Sequence, residues 1–484
     1  MRAAPAGGGA ERPKPKASPE ARGGLPPSHR LYYGGGMDEI KHREQVDLIR
    51  EVFYYQSRFD GKTIVLKIDY PILNAPHFPQ LMKDLAMLRA TGIEIILVPG
   101  AKEWIDAVLK EYDTQSEYVD GVRIATAESV PFIRMAAFDV ANRLMTLLTA
   151  FQANAVIGNF TRARGIGVVN GVDFQNSGLV EKILVQPLQQ ILDQGMIPIF
   201  PCIGWNAAGK PYNLASDEIA LAVAEALQAE KLFFVTDSEG FMDSRFTLPA
   251  GLVKNSDGRV ARLSLEEAQE VLTLNAGNPD PDLKYLELAL KACRNGTERA
   301  HVVDGRLEGA ILREIFSNLG VGTMVYGNDY ESIRPLKVTD IGDVLRLMQP
   351  LMEEGILVQR TEDDLMNRQA DFAVYEIDGV VHACGALHDF GEGQGEIAAI
   401  ATNPVYSHLS MGRKILSYLV EKAVKLGMTR VFVLTTRTLD WFEQLGFVPV
   451  ALETLPEKKR LTYNHARKSR IFALDLASRT TIKS

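Results

Sequence analysis

At 484 residues the chain is too long for one ordinary core, and its 46% hydrophobic and 24% charged residues suit a globular protein of two or three domains. A formal net charge of -8 excludes a general nucleic-acid binder, which needs a basic footprint, and no apolar run approaches the ~18 residues of a membrane span. Its three cysteines, Cys202, Cys293 and Cys384, lie far apart in apolar surroundings and read as buried free thiols of a reducing compartment.

Residues 1–36, rich in Pro, Gly, Ala and Arg, read as a disordered tail, or as an over-long start preceding Met37. Prolines throughout deny this stretch the amphipathic face of a transit peptide. Met37 to Tyr55 is a predicted helix. Strands are then predicted at Thr63 to Ile68, Glu94 to Val98, Ala155 to Gly158, Ile197 to Phe200, Lys231 to Thr236 and Ala300 to Val303. Helices alternate with them: Phe78 to Thr91, Val130 to Phe151, Pro187 to Gly195, Ser216 to Ala229, Ser264 to Leu274, Asp282 to Asn295 and Gly309 to Leu319. Most of these strands are continuous apolar runs, as expected for a parallel sheet buried on both faces, and the alternation implies a doubly wound α/β domain.

A polar linker over 328–332 separates this domain, residues 37–327, from a second α/β domain at 333–478. The second has a helix at Ile341 to Glu354 and a hairpin, Phe372 to Glu376 and Val380 to Leu387, turning at Asp378-Gly379. The strand Glu396 to Thr402 is apolar with an acid at its head, and Asn403-Pro404 stops it, because proline cannot donate to a ladder. The turn Tyr406 to Lys414 opens a helix over Ile415 to Leu426, a strand follows at Arg430 to Leu434, and the last strand is rich in Lys and Arg. Backbone N–H groups pointing outward at a helix N-terminus bind anions. An acid beside such a site suggests chemistry on a phosphate-bearing carrier.

The strand ends of the first domain read Lys67-Ile-Asp-Tyr-Pro71, Pro99-Gly100-Ala101-Lys102, Gly158-Asn-Phe160 and Thr236-Asp237-Ser-Glu-Gly240. With Gly171 to Gly178, Asn213 to Asp217 and Gly320 to Thr323, these ordered motifs resemble the amino-acid kinase family, in its acetylglutamate kinase branch, over Gly61 to Thr323. That family implies Lys-x-Gly-Gly and Gly-Gly-Gly at the first two strand ends, where this chain has Lys67-Ile-Asp-Tyr and Gly100-Ala-Lys. Asp69 puts negative charge where a triphosphate would lie, against the electrostatics of phosphoryl transfer. Lys284 also lacks the family's context, since it follows Asn278 to Asp282. The expectation is a sheet that outlived its kinase chemistry, with Lys67 and Asp237 making local bonds. The helix Gly309 to Phe316 and the segment through Thr323 resemble the arginine-binding segment of arginine-inhibited relatives. That implies an effector site for L-arginine at Glu314, Gly320 and Gly322, which the Met37 to Tyr55 helix approaches in the family.

Ile333 to Val344 resembles the opening of a GNAT acetyltransferase, and Trp441-Phe-Glu-Gln-Leu-Gly-Phe447 its coenzyme A half. Gly355 to Arg360, Val433 to Arg437, Leu455 to Asn464 and Arg467 to Ile471 look like the N-acetylglutamate synthase branch. The general GNAT turn, Gln/Arg-x-x-Gly-x-Gly/Ala, reads Leu409, Gly412 and Lys414 here; Lys414 is either a cation for a pyrophosphate or a solvated surface lysine. Thr402 stands where the family usually has valine.

An amine must lose a proton to attack a thioester, which makes Glu396 the candidate general base, through a water. A salt-bridged strand glutamate is the alternative. The resemblance implies that backbone groups of Ile400, Ala401 and Thr402 bind pantetheine and polarise the thioester carbonyl, and that Met411, Gly412, Arg413 and Lys414 hold the pyrophosphate. It also puts the Thr435 hydroxyl near the departing sulfur. Arg360 and Arg467 would fork the two carboxylates of glutamate, helped by Ser469 and the backbone of Val358. Tyr463 and Asn464 fit a coenzyme A or substrate loop, and the run Lys458 to Arg470 reads as a solvated rim. The implied enzyme makes N-acetyl-L-glutamate from L-glutamate and acetyl-CoA, the first step of arginine biosynthesis, with L-arginine as feedback inhibitor. It is expected to need no metal, to bind no nucleic acid or membrane, and to be a cytoplasmic homo-oligomer. Two alternatives stay open: a bifunctional synthase and kinase, and an arginine-sensing protein with a dead acetyltransferase half.

Overall fold

The computed structural model describes residues 46, 49–50, 52–53, 55–249, 252, 254–255, 257–316, 320–327, 331–404 and 411–476. The chain divides into two units, 1–53 and 54–484. Of the first, Val46, Ile49, Arg50, Val52 and Phe53 are described, and all are helical. The tail at 1–36 and most of the helix predicted over Met37 to Tyr55 lie outside the described residues.

The second unit holds two large sheets. The strands of the first are β1 (Thr63–Ile68), β2 (Glu94–Pro99), β3 (Ala155–Ile157), β4 (Ile197–Ile199), β5 (Lys231–Thr236), β6 (Arg262–Ser264), β7 (Arg299–Asp304) and β8 (Thr323–Tyr326), in the order β6-β8-β7-β5-β1-β2-β4-β3. Every residue of β5 and β7 is buried, including the charged Lys231, Arg299 and Asp304 at their ends. The sheet is parallel, as expected, apart from the β7–β8 pairing, which is antiparallel. Helix boundaries fall within a few residues of those predicted; Ser264 caps Leu265–Leu274 through a capping box with Glu267. The helix Ala310–Phe316 is described, whereas 317–319 are not.

The second sheet has the order β9-β10-β11-β12-β13-β15-β14: β9 (Glu331–Pro335), β10 (Phe372–Ile377), β11 (Val380–Asp389), β12 (Gln394–Thr402), β13 (Arg430–Thr435), β14 (Val448–Pro449) and β15 (Arg470–Asp475). Edge strand β9 starts at Glu331, inside the stretch read as a linker, because Glu331 and Ser332 pair with Ile377 and Glu376. The β10–β11 turn has Asp378 and Gly379 at φ 55° and 77°, the left-handed pair that an Asp-Gly hairpin needs. At the far end of β12, Asn403 donates to His382 O at 2.8 Å, and Pro404 ends the pairing.

The two sheets meet through that hairpin tip. Asp378 accepts from both terminal nitrogens of Arg299 on β7, one of them at 2.8 Å, and also pairs with Arg58. Glu331 pairs with Arg262 of β6 at 3.1 Å and with Lys414 at 2.9 Å. Met324 of β8 packs into the apolar cluster beneath the second sheet. Among the described residues, no helix is long and apolar enough to cross a membrane.

Candidate active site

Strands β12 and β13 run parallel but pair only at Gln394–Glu396 against Arg430–Phe432. Beyond that last rung the strands part, and β12 continues against β11 alone. A register shift between Cys384 and Ala386, with Ala399 at φ 56°, bends β12 away at this point. The result is a notch whose floor is Glu396 and whose walls are 397–402 and 433–435. Ile400, Ala401 and Thr402 lie on the wall that has lost its β13 partner. The edge facing the notch is therefore free to pair an extended ligand, as a strand would.

The helix is described over Met411–Lys425, so Met411, Gly412, Arg413 and Lys414 are helical and not part of a preceding loop. Four N–H groups at a helix start have no intrahelical acceptor, which keeps the anion-binding property with these residues. Residues 405–410, including Leu409, lie outside the described residues. A Cβ at Gly412 would come no closer than 3.6 Å to a neighbour, Thr402 Cγ2, so packing alone does not require glycine here. Lys414 corrects both of its readings. Its ammonium donates to Glu331 at 2.9 Å and to the Tyr375 hydroxyl at 3.2 Å, at the joint of the sheets, so its side chain is committed there and not to a phosphate.

Glu396 is buried, and Lys459 donates to both of its oxygens at 2.7 Å. Lys459 comes from the short helix Glu457–Leu461, lies over the Phe390 ring and is largely buried. The solvated rim expected for the run Lys458 to Arg470 is thereby corrected at this residue. The structure thus shows Glu396 in the salt-bridged state given as the alternative to a general base.

Directly across the ladder from Glu396 is His388. Its Nδ1 faces Asp371 Oδ2 at 2.6 Å and its Nε2 faces Arg360 Nη2 at 3.2 Å. A guanidinium can only donate, so Nε2 carries the lone pair and Nδ1 the proton: His388 is neutral. Burial pushes its pKa below the ordinary imidazole value, and Arg360 adds to this while Asp371 opposes it. Arg360 stacks over Phe372 at 5.2 Å. Burial and Arg368 lower its pKa, against the pull of Glu396. The predicted carboxylate clamp therefore stands beside the predicted base, held by a histidine and an aspartate that sequence reasoning did not name.

On the opposite wall, Thr435 ends β13, is buried, and shares a 2.8 Å hydroxyl contact with Thr438. Arg467 donates from Nη2 to the carbonyls of Gly355 at 3.0 Å and Ile356 at 2.7 Å, tying the 355–360 segment to the 465–467 turn. One nitrogen of its fork is thus spent on backbone. Ser469 offers its carbonyl to the Tyr463 hydroxyl at 2.8 Å, and the Asn464 side chain accepts from Ala466 N; both contacts are local. Val358 is exposed.

In the first sheet, Glu314 is buried with both oxygens engaged. His301 Nδ1 meets one at 2.9 Å, while Val321 N and Gly322 N donate to the other at 2.8 and 3.2 Å. A Cβ on Gly320 would come within 2.5 Å of that carboxylate. In this state Glu314 is not an open fork for a guanidinium: it organises the 320–322 loop. At the β1 end, Lys67 reaches Asp217 at 2.8 Å, Tyr285 at 3.0 Å and Asp69, and Lys284 takes the other side of Asp217. These are the local bonds expected of Lys67. Burial opposes its charge, yet Asp217 and Asp69 push its pKa above the usual lysine range. No group of His, Cys, Asp and Glu arranged to hold a metal ion occurs among the described residues.

Comparison with known proteins adds to this geometry. Residues 62–304 match the amino acid kinase family and 343–447 the acetyltransferase (GNAT) family. An amino-acid acetyltransferase of Shewanella oneidensis is 35% identical over 447 residues, covering 90% of this chain and 99% of its own. The one from Escherichia coli strain K12 is 33% identical over 449 residues, covering 90% and 100%. Among solved structures, N-acetylglutamate synthase from Neisseria gonorrhoeae complexed with coenzyme A and L-arginine is 30% identical, with a TM-score of 0.77 over 89% of this chain and 99% of its own. The same enzyme with coenzyme A and N-acetyl-glutamate is 32% identical with a TM-score of 0.55 over the same shares.

Proposed function

The chain belongs to the amino-acid acetyltransferase family, and on that premise we propose that it makes N-acetyl-L-glutamate from L-glutamate and acetyl-CoA in the β12–β13 notch. The observation that carries this reading is the single rung at which the ladder ends, where Glu396, His388 and the Arg360 they neighbour come together. Glu396 takes the α-ammonium proton through a water as the amine attacks the thioester carbonyl. The N–C bond forms and the C–S bond breaks, with backbone N–H groups of Ile400, Ala401 and Thr402 receiving the developing oxyanion. Thr435 donates its hydroxyl toward the departing sulfur. The first turn of Met411–Lys425 receives the pyrophosphate through backbone N–H groups, Met411, Gly412 and Arg413 among them. Arg360 and Arg467, with Ser469 and the Val358 backbone, receive the substrate carboxylates.

In this reading residues 37–327 are a regulatory body and 333–478 the catalytic one. L-arginine acts as effector at the segment containing Glu314, Gly320 and Gly322, which must open for a guanidinium to enter. Three buried free cysteines support a reducing, cytoplasmic setting. The protein assembles as a homo-oligomer and uses no metal.

Thiol release from acetyl-CoA, measured with a panel of amino acids and with the product identified by mass, tests this proposal. Glutamate should support turnover well above the others. Thiol release with none of them would leave an arginine-binding protein. ATP-dependent acyl-phosphate formation from acetylglutamate would restore the kinase reading that Asp69 opposes.

A further inference from the structure

Glu396 cannot act as a base while an ammonium grips both of its oxygens. The grip is built, not incidental. Both side chains are largely buried, and the lysine is steered by the Phe390 ring. Of the cations at the notch, Arg360 is held by a neutral histidine and Arg467 by two carbonyls. Lys459 alone has as its partner a group that the reaction needs free. The substrate brings two carboxylates and one ammonium. The two substrate carboxylates give Lys459 an alternative partner to Glu396, alongside Arg360 and Arg467.

We propose that Lys459 is a substrate-operated latch on the general base. It covers Glu396 in the empty enzyme and swings to a carboxylate of the incoming amino acid, uncovering the base only when the amine to be deprotonated has arrived. This inference rests on the reading of Glu396 as base and glutamate as substrate. It accounts for how a buried glutamate is held by an ammonium until substrate arrives, and it gives the site a reason to prefer a substrate rich in carboxylate. An ammonium suits the exchange better than a guanidinium, whose planar fork would lock onto the carboxylate in two parallel bonds.

The experiment is steady-state kinetics of the full-length wild type, K459M and K459R, with coenzyme A binding followed to report folding. A charged hydrogen bond to substrate is worth about 1.5–3 kcal/mol, so K459M should raise the KM for glutamate roughly 10- to 100-fold, with the KM for acetyl-CoA held within about twofold. K459R should lower kcat by about tenfold or more, because it tightens the grip on Glu396. A lysine that merely props Glu396 in place would lower kcat in K459M without moving the glutamate KM, and K459R would rescue it. That pattern overturns the proposal, as does wild-type kcat in K459R should K459M fail to fold. A wild type that releases no thiol with glutamate, or E396Q at full rate, would instead sink the functional reading on which this rests.

Discussion

Asp378, at the tip of a hairpin in the second sheet, accepts a two-pronged hydrogen bond from Arg299 at the start of β7 in the first. Both are buried, and Lys231 lies close enough to feel both charges. Removing one partner of a buried pair costs far more than the pair itself contributes, typically about 3–5 kcal/mol. Asp378→Asn is therefore expected to lower the unfolding free energy, measured by denaturant titration, by an amount of that order. A loss below about 1 kcal/mol, the exposed-pair range, would show that the joint is solvated.

Lys231 gives that joint a pH dependence. Burial, then Arg299, push its pKa down to about 7, against Asp378, Glu314 and Glu230. In the unfolded chain a lysine titrates near ~10.4, so between about 7 and 10.4 the unfolded state binds more protons. The stability this group contributes is complete above that window and is lost as pH falls through it. Wild-type melting temperature should drop from pH 9.5 to pH 7 more steeply than that of Lys231→Met. Parallel slopes would refute the assignment.

Glu396→Gln keeps the shape of the side chain and removes its basicity. Positioned general bases contribute about 10²–10⁴-fold, so kcat should fall by that much while coenzyme A affinity stays near wild type. Full rate in the variant would remove Glu396 from the chemistry.

The neutral His388 holds Arg360 by its lone pair. Its folded pKa lies below the ordinary imidazole value. The unfolded chain therefore binds the extra proton first, and the stability from neutral His388 is lost as pH falls from about 6.5 through the folded pKa. Protonation would turn Nε2 into a donor facing Arg360. The KM for glutamate should accordingly rise on the acid side of about 6.5. In His388→Gln it should be raised at every pH and lose that acid rise. An unchanged profile in the variant would separate His388 from substrate binding.

Much of this was legible along the chain because the signals were local. Continuous apolar runs gave the buried strands, Asp378-Gly379 the hairpin, and Asn403-Pro404 the end of β12. The order of these pieces, with Trp441 to Phe447, pointed to the acetyltransferase half. What stayed hidden depends on partners distant in sequence. Lys459 finds Glu396 across 63 positions, and nothing in Lys458-Lys-Arg460 says which cation turns inward. His388 faces Glu396 only through strand register, which the bulge at Ala399 resets. Lys414 turns to the joint because Glu331 is there, in a stretch that read as linker. Met411 is helical and buried beneath the sheet, an anchor that residue type alone does not declare.

The Asp378 plug also makes the two halves unequal before any gene-splitting event. Severed near residue 330, the downstream fragment would give up the partners of Asp378 and Glu331 and uncover the apolar cluster into which Met324 packs. The upstream fragment would have to shelter Arg299 without Asp378's compensating charge.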